Sequence, residues 1–447
     1  MPIQTEDMLA GGLRLRQEPP SVGFHARAGV GRLVAHMRVL LLSRTSPLPA
    51  NNGVNMRTWS VLRALVDEGH DVTFLAFANR NESNGKSQEL SRICRKVIFI
   101  PSNLRSLSSS KDYIRRMVQL RSGIPYGVEA SRSPEMAEHV KNILRSGEVD
   151  AVLCEQTDLA INLPSPVPVP LIADFHNVDY LILERYLELE RNPLKRLYAR
   201  AEIGRVRNWE RKVCQSTAAT LVCSAYDGEI LARMCPATPI FVVPNVVDVN
   251  CYEPRGGEVP LRIIFQGGMD WYPNRDAVEF FITSILPLVR QEVPDAQLWV
   301  AGRNPSGEFI QRFCKISNVK FTGTVPDMSA EIACSAISVV PLRIGSGTRL
   351  KILEAAAMAK PIVSTRLGAE GLDFVDGQEI ILEDEPKRFA RAVAALLGSQ
   401  QRRRELGDAA RARVERQYSY PALRQALRLA MRGMGDDCQN QKQVITN

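Results

Sequence analysis

PLRIGSGTRLKILEAAAMAKPIVSTRLGAEGL, residues 341–372, is the stretch that decides the fold. Two glycines, Gly345 and Gly347, sit in a loop that runs into a strong helix-forming segment, Arg349 to Met358. The helix must stop before Pro361, and the β-rich run Pro361 to Thr365 follows. Loop, helix N-terminus and next strand together make a holder for an anion. The unpaired N–H groups of the first helical turn point into the loop, and the helix dipole adds partial positive charge. Glycine lets the backbone approach the anion closely. Arg349 and Lys351 supply full charges, with Arg343 just upstream. Glu354, one to two turns into the helix, is placed to accept hydrogen bonds from sugar hydroxyls. A plain Gly-rich turn before a helix in an α/β protein is the alternative reading of the same spacing.

The rest of the chain supplies the frame for this loop. From Met37 it alternates strands and helices. Strand 38–43 is followed by a long loop and a helix over 54–68, with Val54, Trp59, Leu62 and Leu65 near helical spacing. Strands are predicted at 71–76, 97–100, 151–154, 170–174, 219–223 and 240–243. The pattern then restarts, with strand 262–266, helix 274–290, strands 297–301, 319–322 and 337–340, and the anion-site helix. Residues 244–260, with three prolines and two glycines, read as a linker. The predicted architecture is α/β, with two facing Rossmann-like, doubly wound parallel-sheet domains and an interdomain cleft. The expected boundaries are 1–36 for a non-core N-terminal extension, 37–245 for an acceptor-binding domain and 246–420 for a donor-binding domain. A crossover helix over 421–432 and a mobile polar tail over 434–447 complete the chain. Met37 directly precedes the first core strand, so the native start is either there or at the head of a disordered extension.

Composition narrows the class. A chain of 447 residues with 45% apolar content suits two domains with real cores. No run of eighteen apolar residues is present and no secretory h-region precedes the core. Nine scattered cysteines form no CxxC pair and no metal spacing with the five histidines, which reads as reduced thiols in the cytoplasm. The net charge of +8 points to an anionic partner or surface. Residues 92–121 carry eight Arg or Lys among Tyr113, Ile114, Met117, Val118 and Leu120. They are either a basic face for an anionic membrane or an ordinary solvated helix. Arg402-Arg403-Arg404 reads as plain helix surface. No recognition motif accompanies the charge, so nucleic acid is disfavoured.

Several fragments, in order, resemble one family. MRVLLLSRTSPLPANNG (37–53) is similar to the first strand and Gly loop of the GT-B glycosyltransferases of family 4. DFHNVDYL (174–181) resembles their HNVE segment, VPNVVD (243–248) their PNGVD linker, and NVKFTGTVPD (318–327) their strand and turn before the base site. Residues 341–372 resemble the family's donor-site signature. The resemblance spans most of 37–420. It implies a retaining, metal-independent transferase that needs no cofactor. Glu354 would bind the nucleotide ribose. Gly345, Ser346, Gly347 and Thr348 would hold the diphosphate. Gly268 would face the phosphates, and Gly323 to Val325 would line the base. Arg349 and Lys351 would neutralise the leaving group, and His176 would contact the donor sugar. Gly53 and Arg57 are expected on the acceptor-side loop. His176 follows an apolar strand, where cleft residues lie, although a local hydrogen-bonding role fits the position as well. Asn177 is expected to cap the next helix.

The chain departs from the family at two points. Many members carry a second Glu eight residues before the ribose Glu, and here that position is Ser346. Many also have Arg and Lys after the first strand of the second domain. Here Gly267-Gly268-Met269-Asp270-Trp271-Tyr272-Pro273-Asn274 brings no base until Arg275. Arg349 and Lys351 are the candidates to replace them. There is no Asp-x-Asp motif, Walker A pattern or complete GxGxxG. Leaving-group charge then falls to backbone N–H groups, the helix dipole and Arg or Lys. The expected function is transfer of a sugar from a UDP- or GDP-sugar to a hydroxyl on a glycan or lipid-linked acceptor, in surface polysaccharide or glycoconjugate synthesis. The expected location is cytoplasmic, with peripheral contact at the inner face of the plasma membrane as an addition. A nucleotide-sugar epimerase on the same scaffold and a non-catalytic nucleotide-sugar-binding protein are the alternatives.

Overall fold

The computed structural model describes residues 36–78, 88–101, 122–313 and 315–445, with side chains through 433. Residues 1–35 and 102–121 lie outside this set. The expected N-terminal extension and most of the candidate membrane-facing segment therefore fall outside the described residues. Among the described residues no helix is long and apolar enough to cross a membrane.

Two parallel sheets carry the fold. The first has seven strands: β1 (Arg38–Ser43), β2 (Asp71–Ala78), β3 (Lys96–Pro101), β4 (Ala151–Glu155), β5 (Leu171–Phe175), β6 (Ala219–Val222) and β7 (Ile240–Val242). Their order is β3-β2-β1-β4-β5-β6-β7. The second has β8 (Arg262–Gln266), β9 (Gln297–Ala301), β10 (Val319–Gly323), β11 (Ile337–Val340), β12 (Ile362–Ser364) and β13 (Ile381–Leu382). Their order is β10-β9-β8-β11-β12-β13. Each order reverses direction once, between β1 and β4 and between β8 and β11. A reversal opens a crevice at the carboxyl ends of the strands, where ligands bind. Central strands such as Val39 to Leu42 and Ile263 to Phe265 are buried, as helices on both faces require. The predicted two-domain α/β architecture is the one observed.

Four details differ from expectation. Helix α1 (Gly53–Asp67) takes in Gly53 as well as Arg57, which the expected helix over 54–68 already contained, so neither lies on an acceptor-side loop. Asn52 caps it, its side chain accepting from the Asn55 N–H. The long helix after β8 is interrupted. A π turn over Phe281–Ile285 separates Tyr272–Phe280 from Leu286–Glu292, immediately before Pro287, which lacks the N–H that a regular helix would use. The last helix, Tyr420–Ile445, continues through the segment expected to be a mobile tail. Its first turns lie on α1: the Tyr420 hydroxyl donates to Asp67 at 2.6 Å, and Arg424 and Arg428 both pair with Glu68. Finally, Arg403 is buried and pairs with Glu258 at 2.7 Å, so Arg402 to Arg404 is not simply solvated surface.

Candidate functional site

The second sheet ends in glycines, for a steric reason. Gly267 follows β8 at φ 154°, Gly302 follows β9 at φ 153°, and Gly323 closes β10 at φ 69°. A Cβ on Gly302 would overlap the Gly267 carbonyl. The Gly302 N–H donates to the Gly323 carbonyl at 3.1 Å. Bare backbone thus meets at the ends of three adjacent strands. Gly268 is fixed beside it, its carbonyl accepting from Asn274 Nδ2 at 2.8 Å. Val325 lies half-buried in the turn after β10.

Across the crevice stands the loop after β11. Gly345 and Gly347 take φ 147° and 72°, and the helix Leu350–Ala357 begins just beyond, with Arg349 at its N-cap position. Arg349 is buried. Its guanidinium donates to the carbonyl of Gly347 and, at 3.3 Å, to that of Leu367. Burial lowers its pKa to about 10, which leaves it charged at neutral pH. Lys351 points the other way. Its Nζ donates to Asn274 Oδ1 at 2.8 Å and sits 4.0 Å from the centre of the Phe265 ring, next to Gly267. Burial, with Arg349 nearby, depresses this ammonium to about 7. A phosphate arriving here would meet a group ready to take up a proton. Glu354, one turn further, accepts from the Tyr252 hydroxyl at 3.1 Å, and burial raises its pKa.

The first sheet contributes a buried charge cluster. Arg57 grips Asp174 with two nitrogens, Nε at 2.8 Å and Nη2 at 2.5 Å. Its Nη1 donates to the Val243 carbonyl at 2.9 Å and to Asn245 Oδ1 at 3.0 Å. Burial alone would raise the Asp174 carboxyl. Arg57 and His176 outweigh it and hold Asp174 well below the usual range. His176 Nε2 lies 3.5 Å from Asp174 Oδ2 and is buried. Glu155, at the end of β4, is 1% exposed and forms no ion pair among the described residues. Burial and the neighbouring Asp174 push its carboxyl up to about 8. Candidate ligand atoms of Glu155, Asp174 and His176 lie within 4.8 Å of one another. The donor types would suit a metal, but Arg57 already holds both Asp174 oxygens. A dication beside a buried guanidinium is electrostatically unfavourable. The cluster fits an ion-pair core better than a metal site.

The two halves meet at the glycine loop. The Val178 N–H donates to Ser346 Oγ at 3.1 Å, and Asn245 Nδ2 donates to Thr348 Oγ1 at 2.8 Å. A Cβ on Gly347 would fall 2.5 Å from both the His176 carbonyl and the Asn177 side-chain amide. Arg185 crosses from the first domain to Glu370, both nitrogens at 2.8 Å, and also reaches the Gly345 carbonyl.

Two family models cover most of this framework. Residues 51–250 match the model described as "Glycosyltransferase Family 4", and residues 260–399 match "Glycosyl transferases group 1". The chain belongs to the group 1, family 4 glycosyltransferases. An uncharacterized 44.6 kDa protein in the cps region of Klebsiella pneumoniae is 22% identical over 371 residues, covering 80% of this chain and 90% of that one. Among solved structures, sucrose-phosphate synthase from Thermosynechococcus elongatus superposes with a TM-score of 0.64 at 16% identity, over 92% of this chain and 100% of that one. HepE from Anabaena, in complex with UDP-glucose, gives 0.59 at 13% identity, over 91% and 100%. At such identities the structures establish the GT-B fold.

In this glycosyltransferase the expected site residues do not all fall together. His176, Gly345, Ser346, Gly347 and Thr348 form one contact zone. Lys351, Gly268 and Gly323 lie toward the strand ends of the second sheet, and Glu354 sits deeper along its helix. Arg57 is buried with its nitrogens engaged, so it is not free to meet an acceptor. Gly53 stands at the domain boundary, where a Cβ would be 3.3 Å from Leu350 Cδ1. Asn177 does not cap the following helix, which starts at Asp179. Glu210 accepts there from the Asp179 N–H at 2.6 Å, and the Asn177 amide reaches the Ser346 carbonyl instead. Sequence reading missed Asp174, Glu155, Asn245, Arg185 and Tyr252. Asp174 was the most legible of these. It is the next-to-last residue of β5, two positions before His176, at the carboxyl end of the strand where cleft residues lie.

Proposed function

We propose that this glycosyltransferase is a retaining, metal-independent enzyme that transfers a sugar from a UDP- or GDP-sugar to a hydroxyl acceptor in polysaccharide or glycoconjugate synthesis. The observation that carries the proposal is the position of the loop Gly345 to Thr348. It lies between the His176–Val178 segment and the end of the second sheet, at the carboxyl ends of both sheets. The diphosphate would lie on the loop N–H groups and the first turn of the following helix. Lys351 would neutralise it from the Gly267 side and Arg349 from beneath the loop. Glu354 would accept from the ribose hydroxyls, with Tyr252 holding its carboxylate. Gly323 and Val325 would border the base. His176 would face the donor sugar. The bond from C1 to the phosphate oxygen breaks as the acceptor oxygen bonds C1 on the same face, and the departing phosphate takes the acceptor proton. The UDP-glucose bound by HepE and the cps-region relative support this choice of donor class and setting.

The test is nucleotide release across a panel of sugar nucleotides and hydroxyl acceptors, with and without chelator, followed by NMR of the product anomer. Acceptor-dependent release of UDP or GDP, insensitive to chelator and with retained anomeric configuration, is the expected result. An inverted product, or release abolished by chelator, refutes the corresponding element. Conversion of the sugar nucleotide with no glycoside formed would indicate an epimerase instead.

A further inference from the structure

The two most exposed large apolar side chains among the described residues lie together. Leu194 is 63% exposed and Leu197 66%, both in the first turns of the helix Pro193–Gln215. That helix forms a hairpin with the helix Asp179–Leu189, whose last residue is exposed as well. These leucines are not frayed ends. Arg196 Nη1 donates across the turn to the Leu187 carbonyl at 2.7 Å and to the Glu190 carbonyl at 2.9 Å. The Asn192 side chain accepts from the N–H groups of Leu194 and Lys195 at 3.0 and 3.2 Å. The inner side of the helix buries Ala199, Val213 and Cys214. Leu194 and Leu197 are thus held outward, and Ala201 and Gly204 continue the exposed stripe at helical spacing.

Charge on this helix is sorted by side. Its acids, Glu202 and Glu210, are both buried. Glu202 accepts from the Tyr126 N–H and pairs with Arg205, and Glu210 accepts from the Asp179 N–H. Lys195, Arg200 and Arg207 stay exposed beside the leucine stripe, with Arg191 in the turn. Arg191 and Arg200 form no ion pair among the described residues, and Lys195 has Glu190 at 3.8 Å. The outer side is therefore apolar and cationic, with the helix's own acids withdrawn from it.

That pairing selects the partner. Leucines contribute nothing to contact with a phosphodiester backbone, so nucleic acid leaves the stripe unexplained. A second copy of the chain, meeting this one through the same face, would bring like charges together. A bilayer containing anionic lipid satisfies both features, with leucines at the acyl boundary and cations among the headgroups. The hairpin also leads to the cleft. The helix Asp179–Leu189 starts beside the glycine loop, where the Val178 N–H donates to Ser346 Oγ. Its 11 residues, at 1.5 Å each, put the tip about 17 Å from that loop.

We propose that the tip of this hairpin rests on an anionic bilayer, with Leu194 and Leu197 entering the headgroup region and Arg191, Lys195 and Arg200 pairing with lipid phosphates. The hydroxyl acceptor is then a lipid-linked saccharide, presented to the cleft from the bilayer surface. This consequence rests on the function proposed above; the bilayer contact does not.

Co-sedimentation without nucleotide or acceptor tests the contact. The probes are vesicles of phosphatidylcholine alone and of phosphatidylcholine mixed with phosphatidylglycerol. The wild type should sediment with the mixed vesicles, be released as salt rises, and stay in solution with phosphatidylcholine. Leu194→Ser with Leu197→Ser should weaken binding to the mixed vesicles by about 10-fold or more. Arg191→Glu with Arg200→Glu should abolish it, and both variants should melt as the wild type does. Variants that sediment like the wild type, equal binding to both vesicles, or no binding at all overturns the proposal. So does light scattering that shows a wild-type dimer dissociated by the leucine changes, because the face then joins two copies. In the transfer assay the leucine variant should lose turnover on acceptors embedded in the mixed vesicles and keep it on acceptors in solution. Unchanged turnover on both overturns the link to the acceptor. If the vesicles bind as expected but no sugar nucleotide is turned over, the proposed function fails and the bilayer contact stands.

Discussion

Replacing Glu155 by glutamine should stabilise this protein, and by more as the pH rises. Glu155 is buried, and its carboxyl is pushed from 4.5 to about 8, first by burial and then by Asp174. The sign follows from proton binding. The folded chain keeps a proton on Glu155 that the unfolded chain releases above pH 4.5. The associated stability is full below 4.5 and is lost progressively up to about 8. Each pH unit in that window costs about 1.4 kcal/mol. Between pH 5 and pH 7.5 the wild type should therefore lose about 3 kcal/mol that the glutamine variant does not lose. Over a chain or half-chain of this size, that widens the difference in melting temperature by roughly 3–7 °C. Thermal unfolding of both proteins at half-unit steps from pH 5 to 8.5 provides the measurement. Parallel curves across the window would show that Glu155 is already ionised in the folded protein, and the proton assignment would be wrong.

The proposed donor site and the C-terminal helix yield the remaining predictions. Glu354→Gln keeps the shape but loses charge-assisted hydrogen bonds to the ribose, and should weaken UDP or GDP binding by about 10- to 100-fold in titration calorimetry. Lys351 is depressed to about 7, so binding a diphosphate at pH 8 should take up a proton. Calorimetry in buffers of different ionisation enthalpy should show uptake of close to one proton, and Lys351→Met should abolish it. Gly347→Ala places a methyl 2.5 Å from the His176 carbonyl in a backbone with φ 72°, and should lower both donor affinity and melting temperature. Truncation before Pro421 removes the Arg424 and Arg428 pairs to Glu68 together with buried Leu423 and Leu427, and should lower the melting temperature.

What could be read from the sequence and what could not divide along one physical line. The strands announced themselves because buried parallel strands are continuous apolar runs, as Val39 to Leu42 and Ile263 to Phe265 show. The glycine loop Gly345 to Thr348 announced itself because glycine spacing before a helix is local. The charge cluster depends on residues far apart in the chain. Arg57 and Asp174 are 117 positions apart, and Arg57 and Asn245 are 188 apart. No window of sequence contains both members of either pair. Reading Arg57 as an acceptor-side residue followed from its place after the first glycine loop. Helix α1 instead starts at Gly53 and turns Arg57 inward onto Asp174, at the point where β5 ends. The two missing bases after β8 are answered by the same geometry. Lys351 lies 85 positions beyond Gln266, yet that glutamine's Nε2 donates to the Lys351 carbonyl at 2.8 Å, and the Lys351 ammonium sits beside Gly267. In the proposed donor site the charge expected directly after the strand would come from the neighbouring helix. Moving it back should therefore restore what its loss removes. A Lys351→Met protein carrying Asp270→Lys, at an exposed position whose side chain lies against Gly268, should recover nucleotide affinity if position, rather than the identity of the helix, is what counts. Failure to recover, with the fold intact, would mean that the ring of Phe265 and the Asn274 carboxamide, which hold Lys351 in place, are part of the site themselves.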